Sequence, residues 1–183
     1  MKAIDVLMDE HRVIERVLDS LEAEAGRLAR GETVRPGFFL DVADFASGFA
    51  DGCHHQKEEG VLCPAMTQHG MPASGGAIEV MLQEHEAGRT YVRQLRTAAR
   101  QLESREPGAA AQLVAAALGY AALLRDHIAK EDEVLFPMAA EMIPEPAHDE
   151  VMAKFETVEH DGTGPQGHAR LLELAERLQR EAI

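Results

Sequence analysis

The chain of 183 residues has no tryptophan, two tyrosines, two cysteines and 18 basic residues against 32 acidic ones. Each phosphate contact of a nucleic acid needs a lysine or an arginine, and no cluster of either stands out, so no nucleic-acid partner is expected. The formal charge of −14 would also be repelled by an anionic membrane surface. The most apolar run, residues 113–124, is shorter than the ~18 residues of a membrane span, so no membrane partner is expected either.

The two cysteines, Cys53 and Cys63, lie ten positions apart in a segment whose pattern predicts one helix. Ten helical residues rise roughly 15 Å, which is beyond the reach of a disulfide. We expect Cys53 to be buried and inert, and a redox role is its alternative. Reduced thiols and an N-terminal sequence without an apolar export signal predict a cytoplasmic protein.

Residues with a preference for helices dominate the chain, and alternating strand patterns are scarce. Glycine and proline clusters separate four segments of about 30 residues and a shorter fifth one. In each of the four, buried-type residues recur at steps of three or four; the fourth stripe ends on Val134 and Met138. Short connections favour antiparallel neighbours, so we predict an all-α fold, an up-down-up-down four-helix bundle. The expectation is a single domain, 1–183, with the bundle at about 1–143 and a C-terminal helical extension at about 147–183 packed outside it.

Polar residues interrupt all four predicted apolar stripes. They are His11 in the first helix, His54 and Glu58 in the second, His85 in the third, and His127 and Glu131 in the fourth. Residues 54–64 and 127–137 share six identities in register. Both segments therefore carry a histidine followed four residues later by a glutamate, which lies on the same face of a helix.

Buried imidazoles and carboxylates cost several kcal/mol unless they are paired, protonated or bound to a metal. Arg89 is the one cation in the predicted stripes, and it cannot neutralise two separate carboxylates. Hydrogen-bonded core histidines and a surface pair of His54 with Glu58 are the alternatives, but they need several coincidences and leave the repeat unexplained. The pattern therefore predicts two metal ions with imidazole ligands, bridged by Glu58 and Glu131.

The types of donor indicate which metal is bound. Mixed imidazole and carboxylate donors without a paired cysteine motif argue against structural zinc, and the nitrogen content argues against magnesium and calcium. We predict iron, with manganese as the lesser alternative. Ferritin-like bundles place a histidine three residues after a glutamate, and none of the histidines in the four predicted stripes has that spacing.

Four stretches carry a resemblance to a known family: Glu10-His11-Arg12, residues 54–59, Glu84-His85-Glu86 and residues 127–137. They resemble the bacterial hemerythrin-like proteins, also called hemerythrin HHE cation-binding proteins. The resemblance implies a four-helix bundle with two non-haem iron ions joined by an oxo or hydroxo bridge. It places His11 and His54 on one iron and His85 and His127 on the other, with Glu58 and Glu131 bridging.

Two departures bear on function. Oxygen-carrying hemerythrins have a histidine four residues after that of the third helix, where this chain has Arg89, and their fourth-helix acid falls where Asp132 stands. One imidazole fewer leaves a position for water, peroxide, nitric oxide or a further protein ligand.

The further candidates for the site are His55, His160, Asp132 and Tyr120. His55 is turned about 100° from His54 around a helix, so we expect it outside the ligand set, with coordination as the alternative. We expect His160 to be exposed and Tyr120 to be a core residue. Three acids that directly precede the ligand histidines are expected to be solvated, with hydrogen bonding to imidazoles as the alternative: Glu10, Glu84 and Asp126.

Two classes of function remain. The first is a non-haem di-iron protein that binds oxygen, nitric oxide or peroxide for sensing, buffering or stress defence. The second is a di-iron enzyme that detoxifies peroxide or nitric oxide, and iron storage or delivery is a third possibility. The expected partner is a small diatomic ligand or peroxide, and the sequence defines no protein partner.

Overall fold

The computed structural model describes residues 1–162 and 164–182, with the side chain of Pro165 excluded. The first long helical segment is α1 (Lys2–Ala29), and the second runs from α2 (Pro36–Phe45) through two π-helical stretches (Ala46–His55 and Glu58–Leu62) into α3 (Cys63–Gln68). The third is α4 (Ala77–Glu103). The fourth runs from α5 (Ala109–Lys130) through a π-helical turn (Glu131–Leu135) into α6 (Phe136–Met142). The described ranges contain no strand. The predicted all-α fold, an up-down-up-down four-helix bundle with a C-terminal helical segment, is confirmed.

The C-terminal part of the chain is helical and packs on the outside of the bundle. After a 3-10 turn (Glu145–Ala147) it forms α7 (His148–Gly162) and α8 (Gly164–Glu181). Helix α8 packs against α1 and α2, and α7 packs against α1 and both π-helical stretches of the second segment. These two helices cover the side of the bundle where α1 and the second segment meet. Ile183, the end of the predicted extension, lies outside the described residues, and the division into bundle and extension stays a prediction.

Proline and glycine mark where several helices begin. Pro36 opens α2, where its missing N–H would have no partner in the helix anyway. Gly108 precedes α5 in the left-handed conformation, with φ 82°, which a residue with a Cβ atom adopts at a cost. These turn residues keep the connections between the helices short.

The π-helical turn at Glu131–Leu135 overturns part of the predicted apolar stripe. Val134 and Met138 were expected in the core, but 51% and 37% of their surfaces are exposed. A π-helical turn adds one residue to the helical repeat, so every later side chain is rotated away from its α-helical position. The core instead receives the next residue in each case: Leu135 and Ala139 are buried, together with Phe136.

Apolar side chains fill the bundle on both sides of a polar middle. One cluster includes Leu18, Phe38 and Leu95, and the other includes Leu7, Leu62, Met66, Phe136 and Phe155. Each such side chain contributes about 1.5–3 kcal/mol by leaving water. The same packing keeps bulk water from the polar groups between the clusters. Within the described ranges, no helix has both the length and the apolarity needed to cross a membrane.

Candidate metal centre

Two buried groups of possible metal ligands lie side by side between the apolar clusters. The first group is His11, His54, Glu58 and Glu131, and the second is His55, Glu58, His85 and His127. Within each group every residue offers one ligand atom, and these atoms all lie within 4.8 Å of one another. The six residues predicted from the sequence are thus brought together. Because Glu58 belongs to both groups, the two sets of donors share one carboxylate.

The Nε2 atoms of four imidazoles face the two inner carboxylates. Nε2 of His11 and of His127 each lie 3.2 Å from an oxygen of Glu131. Nε2 of His54 and of His85 each lie 3.4 Å from an oxygen of Glu58. The Nε2 atoms of His85 and His127 are 3.0 Å apart, the separation of two nitrogens that bind one ion at a right angle with bonds of about 2.1 Å.

These close approaches do not satisfy the inner carboxylates. Among the described residues, both oxygens of Glu58, both oxygens of Glu131 and Nε2 of His11 lack any hydrogen-bond partner, although all are buried. The imidazoles lie near these oxygens but not in hydrogen-bonding geometry. Buried carboxylates without partners cost several kcal/mol, and a metal ion between the donors removes that cost. The donor set therefore fits metal ions.

The outer nitrogen of each of the five histidines faces a carboxylate. The pairs are His11 with Asp132 (2.7 Å), His54 with Glu10 (3.0 Å), His55 with Asp51 (3.4 Å), His85 with Glu59 (2.7 Å) and His127 with Glu84 (3.0 Å). A carboxylate can only accept, so Nδ1–H donates and the lone pair of Nε2 is left for the interior. Metal-binding histidines are held in this way in known sites.

This arrangement corrects our expectation for two acids and supports it for a third. Glu10 and Glu84 were expected to be solvated, yet they hold His54 and His127 of the neighbouring helices. Asp126 is exposed, as expected. The sequence signal was the acid directly before the histidine, but its partner lies on the next helix, which sequence spacing does not reveal. Asp132 accepts from Nδ1 of His11 rather than lying among the inner donors.

Cations hold the outer carboxylates in turn. Lys57 donates to Glu10, and Lys130 donates to Glu84. Burial alone would raise the pKa of Glu10, but the His54 imidazole and the Lys57 ammonium outweigh it and lower that pKa below its ordinary value.

Arg89 has the same role on the third helix. It lies 2.7 Å from Glu59 and 2.8 Å from Asp51. The arginine that the sequence placed in the apolar stripe therefore neutralises outer carboxylates and not Glu58 or Glu131.

Burial and mutual charge separate the two inner carboxylates. Burial and the charge of Glu131 raise the pKa of Glu58 well above its usual range. Burial alone would raise the pKa of Glu131 too, but the imidazoles of His11 and His127 outweigh it and lower that pKa well below its usual value. Burial lowers the pKa of His54 to about 4 and that of His55 to about 3. Both imidazoles are therefore neutral near pH 7, the form that binds a metal.

His55 lies inside the centre, contrary to our expectation. It is 5% exposed, and its ring stacks on that of His85 with centroids 3.9 Å apart. It occupies the last position of the π-helical stretch Ala46–His55, so the α-helical angle used to place it outside does not hold there. The structure thus adds a fifth imidazole to the four of the predicted set.

The remaining candidates lie apart from the inner donors. The side chain of His160 is 75% exposed and contacts Asp161. Tyr120 is buried and belongs to neither ligand group; it lines a cavity of about 190 Å³ together with His55, Gly88 and Arg89. Through His55, this cavity borders the centre.

Imidazoles and carboxylates that converge from facing helices define a cation-binding helical bundle. The sequence profile of the hemerythrin HHE cation binding domain matches residues 2–139, which include all the inner donors. Because the match covers most of the chain, the protein belongs to this family, and the resemblance seen in the sequence is confirmed. No curated protein and no solved structure matches the chain.

Proposed function

We propose that the centre binds two iron ions and that Glu58 and Glu131 bridge them. His11 and His54 hold one ion. The other is held by three imidazoles: His55, His85 and His127. The buried carboxylate oxygens without hydrogen bonds carry this proposal, because they lie between the two sets of imidazoles and need a positive charge there. Two ions that share Glu58 satisfy both groups at once.

His55 supplies the imidazole that is missing at position 89. Glu131 lies 3.2 Å from the Nε2 atoms of both His11 and His127, so it can serve both ions as Glu58 does. With His55 included, one ion would then have three imidazoles and two carboxylates, and the other would have two imidazoles and the same two carboxylates. The ion with fewer protein donors keeps a position for a small ligand, as metal centres that bind exogenous ligands do. The departure from oxygen-carrying hemerythrins at Arg89 is thereby compensated from the second helix.

The function that this arrangement supports best is the binding of a small ligand, such as oxygen, nitric oxide or peroxide, for sensing, buffering or stress defence. Iron supplies redox chemistry and ligand binding that side chains lack. The protein's own residues hold the donors in place through the outer acids and exclude bulk water. The cytoplasmic location stays a prediction.

Metal analysis and rapid mixing test this function. We expect two irons per chain and a change in the near-ultraviolet spectrum when the reduced protein meets oxygen or nitric oxide. His160→Ala, an exposed control, leaves both results unchanged. A chain with two irons but no spectral response to either gas or to peroxide contradicts ligand binding. If the protein releases oxygen from peroxide faster than free iron does, and Glu131→Gln loses this activity, the enzymatic alternative replaces ligand binding as the function.

A further inference from the structure

Three side chains with metal-binding chemistry also meet outside the iron centre. Cys53, Glu159 and His168 each offer one ligand atom, and these atoms lie within 4.8 Å of one another. They come from three separate elements: the π-helical stretch Ala46–His55, α7 and α8. None of them belongs to either group of the iron centre.

One imidazole nitrogen faces two partners here. Nδ1 of His168 lies 3.7 Å from Sγ of Cys53 and 3.5 Å from a carboxylate oxygen of Glu159. A neutral Nδ1–H can only share its one hydrogen between the carboxylate and the sulfur. A metal ion between the three atoms would instead take one ligand atom from each residue.

The distances fit a tetrahedral site. Zinc lies about 2.3 Å from a thiolate and about 2.0–2.1 Å from an imidazole or a carboxylate, so tetrahedral ligands are separated by about 3.6 Å for S···N and about 3.3 Å for N···O. The observed 3.7 Å and 3.5 Å exceed these values by about 0.1–0.2 Å. Small movements of His168 and Glu159 close that gap.

The surroundings hold the three side chains in place. A Cβ atom on Gly162 would lie 2.9 Å from the carbonyl oxygen of Gly52, so the end of α7 touches the backbone just before Cys53. The buried Phe49 ring lies 5.4 Å from the His168 ring, measured between centroids. Cys53 is 1% exposed, whereas the His168 side chain is 19% exposed, which leaves a route for an ion.

The local charges also balance. Lys57 contacts Glu10 and Glu159 and brings one positive charge close to the cluster. A divalent ion and this ammonium carry three positive charges, which match the thiolate of Cys53 and the carboxylates of Glu10 and Glu159.

We propose that Cys53, Glu159 and His168 form a second metal site, which binds a divalent ion with affinity for thiolates, Zn²⁺ foremost. Thiolate, imidazole and carboxylate are the donor types that zinc takes, and three protein ligands leave a fourth position for water. The site joins α7 and α8 to the bundle beside the iron centre. It does not depend on the identity of the ions in that centre.

Cobalt is the probe that separates the two sites, because the iron centre contains no thiolate. Co²⁺ is added to the iron-loaded full-length protein, and the spectrum without cobalt is subtracted. We expect a sulfur-to-cobalt charge-transfer band that disappears in Cys53→Ser and keeps its full amplitude in Cys63→Ser, the matched control with the other buried thiol. His168→Ala should weaken cobalt binding on the order of 100-fold, because a direct ligand contributes at least as much as the outer partners of ligands do.

Zinc supplies a second readout, which does not need the Cys53 variant to fold. The melting temperature of the wild-type protein should rise with added Zn²⁺, because binding to the folded state stabilises it, and it should not rise in His168→Ala. Absence of a thiolate band in wild-type protein overturns the site. A charge-transfer band that persists in Cys53→Ser also overturns it. So does a melting temperature that rises with zinc as much in His168→Ala as in the wild type.

Discussion

The first half of the bundle (residues 2–68) and the second half (residues 77–142) hold their histidines with the same pattern of carboxylates, but in different surroundings. Glu10, before the histidine of the first helix, holds His54 of the second; Glu84, before the histidine of the third helix, holds His127 of the fourth. The acids that directly follow Glu58 and Glu131 each hold a histidine of the opposite half: Glu59 holds His85, and Asp132 holds His11. The repeated segments therefore make the same two kinds of contact, one within each half and one with the opposite half.

The halves differ where the second helix has residues without a counterpart. His55 and Asp51 occupy the positions that Ile128 and Leu124 occupy in the fourth helix. The first half thus adds an imidazole to the donor group of the second half, and the two proposed ion sites become unequal. The second helix therefore makes the centre asymmetric, whereas the repeated histidines and glutamates make the rest of it symmetric.

The lysines of the repeat differ as well. The Lys57 side chain is 0% exposed because Glu159 of α7 lies over it, whereas the Lys130 side chain is 47% exposed. The C-terminal helices thus turn one of two equivalent contacts into a buried one.

The largest effect is expected from the residues common to both halves. Glu58→Gln combined with Glu131→Gln should reduce the iron content from two ions per chain to none, because the shared charge that holds both ions is gone. Metal analysis of the purified protein measures this. Glu133→Gln, which removes an exposed acid from the same turn, is the control and keeps both irons. Two irons in the double variant would contradict the bridging role.

A second large effect separates the two lysines. Lys57→Met should lower the free energy of unfolding by about 3 kcal/mol, because it leaves Glu10 buried without its ammonium partner. The equivalent Lys130→Met removes a surface pair and should cost less than about 1 kcal/mol. Urea unfolding of both variants gives the comparison. Equal losses in the two would show that burial under α7 does not distinguish the halves.

His55→Ile should make the two halves alike. We expect weaker binding of one ion, on the order of 10-fold to 100-fold, while the other ion is retained, because only the group of His85 and His127 loses an imidazole. Titration of the protein with a chelator, followed by iron analysis, measures this. His160→Ala serves as the control. The idea fails if His55→Ile releases both ions together at the wild-type chelator concentration.

The smallest effect is the pH dependence that Asp51 of the first half contributes. Burial alone would raise the pKa of Asp51, but His55 and Arg89 outweigh it and lower that pKa to about 2, below the ordinary 3.8. A lowered pKa stabilises the folded state above the ordinary value, and this contribution is lost as the pH falls from about 4 towards about 2. The difference in stability between wild type and Asp51→Asn should therefore shrink over that range in urea unfolding. Asp44→Asn controls for loss of a charge on the same helix, and a difference that grows on acidification would reverse the assigned sign.

The sequence predicted the frame of this centre because helical spacing is local. His54 and Glu58, or His127 and Glu131, share a face of one helix, and the repeat showed that both pairs matter. The π-helical turns are not encoded in that spacing, so His55 was placed outside and Val134 inside. The outer pairs were missed because Glu10 and Glu84 reach across to other helices, and register between helices does not follow from periodicity within one.

Anomalous diffraction at the iron edge from crystals of the iron-loaded protein tests the central claim most directly. We predict two peaks between the helices, both adjacent to Glu58 and Glu131, with two imidazoles around one peak and three, including His55, around the other. A single peak, or two peaks that share neither carboxylate, would contradict the account.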